Sequence, residues 1–179
     1  MAGRIAVVDA ENRFVRWEAR RAIHEQQLVH RSVHVLVFDA ANRLLVQRRH
    51  RDKQTYPRHW DVSCAGHVEE SDYLAGPDEA LDAVYAAVAT REVEEELGVT
   101  TAMTPLARLG PEPGVHYEWI ALYLARSDGP FTLQVDEVEE VRLLARDELA
   151  ALLADPAEPV THALRYLVDW VTTRGLYPR

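Results

Sequence analysis

Short apolar runs with a period of two fill the first half of the chain, and a helical period takes over in its middle. Residues 5–9 and 14–19 flank a polar turn at 10–13 and predict a β-hairpin. Residues 20–29 are polar and predict a short helix or a loop. Val33 to Phe38 is strongly apolar and predicts a strand, turned at 39–42. Leu44, Leu45 and Val46 begin its return, which ends in Arg48 and Arg49. Gly76, Pro77, Asp78 and Glu79 then read as a helix start, with proline early and acids in the first turn. Leu81, Val84, Tyr85 and Val88 keep helical spacing, and alanines at 80, 83, 86, 87 and 89 add propensity. Two more strands are expected between 101 and 126, around the turn 110–114, with the second over 117–124. A last strand is expected over 137–144. Asp147 is expected to cap a helix reaching Leu153, and residues 160–171 to form a terminal helix with Leu164, Leu167, Val168 and Val171 inward.

With 179 residues, 47% of them hydrophobic and 27% charged, the chain fits one domain. We read 1–29 as the hairpin and its connector, 30–150 as the core and 151–179 as a C-terminal helix. A formal net charge of −9 argues against general binding to nucleic acid or to a membrane surface, so the expected partner is a small molecule. No apolar run reaches membrane-spanning length, and Met1 to Ile5 leads into a strand pattern rather than a signal core. The single cysteine, Cys64, agrees with a reducing compartment, and the cytoplasm is the expected location. Self-association into a homodimer stays open.

Candidate chemistry concentrates where the long helix ends. Residues 91–99 read Arg-Glu-Val-Glu-Glu-Glu-Leu-Gly-Val. Residues three and four apart share a helix face, so Glu92, Glu95 and Glu96 project together while Val93 and Leu97 form an apolar seam. Gly98 is the left-handed cap. The like charges cost an empty helix roughly 1 kcal/mol, which a divalent cation reverses. Carboxylates without thiols select a hard ion, Mg²⁺ or Mn²⁺. Five of the twenty Lys and Arg residues (48, 49, 51, 53 and 58) fall within eleven positions of this acidic chain, and phosphate would explain that loop.

The order of the letters from Arg91 to Val99 resembles the second half of the Nudix box, and Gly66-His67-Val68 resembles its opening. The resemblance implies an α+β fold, an α/β/α sandwich with a mixed central sheet, an N-terminal hairpin and C-terminal helices. It also implies metal-dependent hydrolysis of a diphosphate linkage in a small nucleoside-diphosphate-linked or related organic diphosphate. Glu92, Glu95 and Glu96 with the Gly66 carbonyl would hold the metal, Arg91 would orient the glutamates, and Arg48, Arg49 and Lys53 would hold the diphosphate. Glu118 is expected to face the site. Arg91 follows Gly66 by 25 positions, eleven more than the family pattern has. Eleven residues make about three helical turns, so the surplus at 69–80 is expected to lengthen the catalytic helix or cap its front, adding no catalytic element. The first acid of the box stays open between Asp72, Glu79 and Asp82.

His30-Arg31, Arg48-Arg49, Lys53, Trp60 and Gly66-His67 are similar to a branch shared with isopentenyl-diphosphate isomerases. That alternative implies a second metal site from His30, His67 and Glu118, with His24 and His116 as weaker candidates. It also implies a cysteine immediately before the glycine, where this chain has Ala65. Cys64 lies one step earlier, so in a strand it takes the opposite face and is expected to be a small buried hydrophobe. A non-catalytic ligand-binding module is the remaining alternative.

Overall fold

The computed structural model describes residues 3–178; Met1, Ala2 and Arg179, the ends of the single-domain reading, lie outside them. A mixed sheet is built around β3 (His30–Phe38), all nine residues of which are buried. The hairpin β1 (Arg4–Val8) and β2 (Phe14–Ala19) joins it through Val7 and His30. A short helix α1 (Arg20–Glu25) follows, resolving residues 20–29 into a helix and a connector. β4 (Leu44–Arg49) returns from β3 and pairs with the two-residue β5 (Trp60–Asp61) and with β9 (Val138–Leu144). Along β3 run β6 (Cys64–His67), antiparallel, and β8 (Glu118–Arg126), parallel from His30↔Glu118 to Phe38↔Arg126. β7 (Thr104–Leu109) pairs with β8.

Strand alternation sends each side chain of β3 to one of two cores. Val33, Val35 and Val37 meet Val84, Val88, Val93 and Leu97 of α2 (Leu81–Leu97) on one face. Leu36 and Phe38 meet the other core, which α3 (Arg146–Ala154) and α4 (His162–Thr173) close with Leu149, Leu164 and Leu167. The result is an α+β sandwich with helices on both faces of the sheet, and Leu164, Leu167, Val168 and Val171 point inward as the spacing predicts.

Three boundaries differ from the expectation. α2 begins at Leu81, not at Gly76, after Ala80 takes a left-handed φ of 50°. The Pro77 carbonyl and the Asp78 side chain are drawn instead to the buried guanidinium of Arg31, which leaves that stretch unable to wind. Residues 69–80 therefore do not lengthen the helix; they make a 3-10 turn at Glu70–Asp72 and a loop in front of it. Asp147 is not a cap: α3 starts from Ala145, whose N–H is taken by Glu148, and Asp147 sits inside the first turn. α4 is capped by Thr161, whose Oγ1 accepts the Leu164 N–H.

Candidate active site

The glutamates of α2 come to the sheet at β6. Gly66 lies directly over Glu92, and a Cβ there would displace the carboxylate, so glycine leaves the Glu92 side chain its place against the strand. Glu96, 7% exposed, accepts from Gln47 Nε2 at 2.9 Å and from the Cys64 thiol. Burial pushes the pKa of Glu96 up, and these two donors hold it back. Glu92 has less support. Burial, the charge of Glu96 and the neighbouring Glu95 raise its pKa to about 7, with Arg91 opposing. Glu95 itself is exposed, so the shared face expected for three glutamates brings two of them to the sheet.

Arg91 Nη2 donates to Asp72 at 3.3 Å and forms an ion pair with Glu92 at 3.0 Å. Of the three acids left open for the front of the box, Asp72 is thus the one at the glutamates. Asp82 pairs with Arg108, and Glu79 folds against Gly76. The surplus segment lies in front of α2, the second of the two forms expected of it, and supplies this contact to Arg91.

The basic residues divide by strand parity. Arg49 and Lys53 line the cleft that also exposes Gly66, His67 and Glu118. Arg49 is steadied by Asp61 at 3.0 Å, and Lys53 pairs with Glu137. Burial and Arg49 lower the Lys53 pKa, while Glu96 and Glu92 act to raise it, so its ammonium feels the α2 carboxylates. Arg48 instead points to the other face, against the Trp60 ring and Glu140, and does not line the cleft. Its place is taken by Arg20 of α1, from a segment whose polar pattern carries no mark of function. Arg51 and Arg58 pair with Glu139 at the surface.

On the opposite face from α2, the odd-even alternation of β3 and β6 gathers His30, Ser32, His34 and His67 around Glu118. Among the described residues, His30, His67 and Glu118 are the one set of three donors whose ligand atoms all lie within 4.8 Å of one another. His30 Nδ1 donates to the Leu28 carbonyl at 2.8 Å, which leaves Nε2 as the free lone pair. The Nε2 atoms of His30 and His67 are buried without a hydrogen-bond partner. Burial and the neighbouring His30 keep the His67 pKa well below the usual value, so its ring is neutral and able to ligate. Glu118 accepts from Ser32 Oγ at 2.8 Å and His34 Nε2 at 2.9 Å; despite its burial, His34, His30 and His67 hold it well below the ordinary glutamate range. Two orphaned nitrogens facing a carboxylate fit a divalent ion. The His24 ring adjoins His67, with centroids 5.1 Å apart. Next to this cluster opens a cavity of about 530 Å³ lined by Tyr56, Tyr117, His116, Ile120 and Tyr166.

Cys64 faces α2 and is fully buried, whereas Ala65 lines the cleft. The expected reversal of faces is present. The thiol is nevertheless more than a hydrophobe, because it donates to Glu96. Among the described residues, no helix is long and apolar enough to cross a membrane.

Comparison with known proteins agrees with this geometry. The NUDIX domain family matches residues 28–170. An uncharacterised Nudix hydrolase of Pseudomonas aeruginosa is 37% identical over 150 residues, covering 82% of this chain and 80% of its own. The uncharacterised Nudix hydrolase YfcD of Escherichia coli K12 is 34% identical over 153 residues, covering 82% and 76%. The crystal structure of DR0079 from Deinococcus radiodurans superposes with a TM-score of 0.73 at 24% identity, covering 98% of this chain and 99% of that one. The NUDIX domain of Shewanella oneidensis NrtR, solved with ADP ribose, gives 0.57 at 18% identity, covering 80% and 86%. A glycine seated on a helix glutamate, an arginine–glutamate pair beside it and a sequence match over most of the chain establish that this protein belongs to the Nudix hydrolase family.

Proposed function

We propose that this enzyme hydrolyses the diphosphate linkage of a small nucleoside-diphosphate-linked or related organic diphosphate. The observation that carries the reading is one cleft that joins Gly66, with Glu92 behind it, to the cations Arg20, Arg49 and Lys53. Glu92, Glu96 and the Gly66 carbonyl, with Glu95 exposed beside them, are the oxygen donors suited to Mg²⁺ or Mn²⁺. When bound, such an ion polarises a phosphoryl oxygen and acidifies a water. The chain itself does the rest. Arg49 and Lys53 receive the charge that spreads over the phosphoryl oxygens, with Lys53 exchanging Glu137 for phosphate. Gln47 and Cys64 keep Glu96 aimed. A glutamate of α2 takes the proton from the attacking water. The adjoining cavity is large enough for the organic group beyond the diphosphate.

The His30–His67–Glu118 cluster favours a second reading, isopentenyl-diphosphate isomerisation. Against it, the cleft position that the reading assigns to a cysteine is Ala65.

One panel tests both. Nucleoside diphosphate sugars, dinucleoside polyphosphates, nucleotides, coenzyme A and isoprenyl diphosphates are assayed with Mg²⁺ for phosphate release and for double-bond shift. Glu92→Gln and Glu96→Gln are expected to lower hydrolysis by about 10²-fold or more while retaining the fold. Full hydrolysis in either variant, or in excess chelator, rejects the proposal; a double-bond shift without phosphate release supports the isomerase instead.

A further inference from the structure

Arg31 carries a charge into the interior, 0% exposed, on the α2 side of β3. Its planar fork is fully used. Nε donates to Asn12 Oδ1 at 2.8 Å and Nη2 to the Asn12 carbonyl at 2.5 Å and Asp78 Oδ1 at 2.6 Å. Nη1 donates to the Tyr73 hydroxyl at 3.2 Å and to the Pro77 carbonyl. The backbone of the same residue takes the Val68 N–H at 3.2 Å. Both ends of the segment from Val68 to Asp78 are therefore tied to Arg31, one through its carbonyl and the other through its guanidinium.

Asp72 lies within that closed loop, next to Tyr73. Its Oδ2 accepts the Glu69 N–H at 2.8 Å and the Arg91 Nη2 at 3.3 Å. Arg91 reaches both Asp72 and Glu92 through Nη2, and its Nε is buried without a partner. The orientation of Arg91, and through it of Glu92, thus depends on where the loop puts Asp72. Burying a guanidinium is a poor way to gain stability alone, since a well-packed apolar side chain serves as well or better. A fork with five donors is a good way to fix a loop in one place.

We propose that Arg31 is a positioning residue of the hydrolase site: by closing the 68–78 loop on itself it sets Asp72, Asp72 sets Arg91, and Arg91 holds Glu92 ready for the metal. This rests on the glutamates of α2 being the metal site. The N-terminal hairpin, through Asn12, and the surplus segment, through Asp78, become parts of one device.

The test follows the Mg²⁺-dependent rise in melting temperature, which yields the half-saturating Mg²⁺ concentration for the full chain. Mg²⁺ is the probe because it prefers oxygen donors to the histidine cluster. Arg31→Lys and Asp78→Asn are expected to raise that concentration about 10-fold, as Asp72→Asn does. Should Arg31→Lys fail to fold, Asp78→Asn and Tyr73→Phe carry the measurement. A melting temperature lowered without Mg²⁺ but an unchanged half-saturation in these variants, while Asp72→Asn weakens binding, overturns the positioning role and leaves the site. Unchanged Mg²⁺ binding in Glu96→Gln overturns the site itself, and the positioning role with it.

Discussion

Glu92 and Glu96 are one helical turn apart, yet their surroundings give them different tasks. Glu96 has Gln47 and Cys64 to offset its burial, while Glu92 has Arg91 alone and a pKa of about 7. The unfolded chain releases the Glu92 proton near 4.5, so the folded protein binds more protons between the two values. Stability of the metal-free protein is therefore expected to fall as pH rises from about 4.5 to about 7 and to level off above, by about 3 kcal/mol from this group. Urea denaturation across that range in chelator measures it, and Glu92→Gln should flatten the slope; parallel curves for the two proteins would refute the assignment. The letters of residues 91–99 foretell the acids and their helix. They do not foretell which acid has donors, because Gln47 and Cys64 come from strands far away in sequence. Cys64 shows the same limit: its face follows from strand alternation, its hydrogen bond to Glu96 only from packing.

At the scale of elements, the hairpin, β3, β4 and the body of α2 follow from apolar spacing, since each hides one face or both. The start of α2 does not. Pro77 and Asp78 carry good local signals for a first turn, but Arg31 takes their carbonyl and carboxylate. Local propensity loses to a buried charge that must be satisfied. For the same reason, excising residues 70–80 is expected to be destabilising. It strips Arg31 of Tyr73, Pro77 and Asp78 while leaving it buried, which should cost about 3–5 kcal/mol. It also removes Asp72 from Arg91. Urea denaturation and Mg²⁺ titration of the deletion variant check this, and near-normal stability with normal Mg²⁺ affinity would show the segment to be a mere appendage.

Across the whole molecule, the sheet separates two constellations that meet at β6. Gly66 turns toward α2 and Glu92, and His67 turns toward His30 and Glu118. The donor chemistry differs accordingly, oxygens on one side and imidazoles with a carboxylate on the other. His67→Ala is therefore expected to abolish thermal stabilisation by Zn²⁺ while leaving that by Mg²⁺, and Glu92→Gln to do the reverse. Loss of both responses in either variant would show a single shared site. The sequence by itself determined the glutamate helix with its Gly98 cap, because these depend on periodicity and on residues close in the chain, while the α+β class and the glycine against Glu92 followed from the resemblance to the Nudix box. Only the tertiary structure decided that Arg20 rather than Arg48 lines the cleft and that Asp72 is the acid beside Arg91, and it brought together His30, His67 and Glu118, a set that the resemblance alone had implied. Each of those is set by the register between strands and by buried charges seeking partners over 19 to 88 positions of chain, His30 and Glu118 facing each other across parallel strands being the longest reach. No local pattern encodes such a pairing; burial selects it once the sheet has formed.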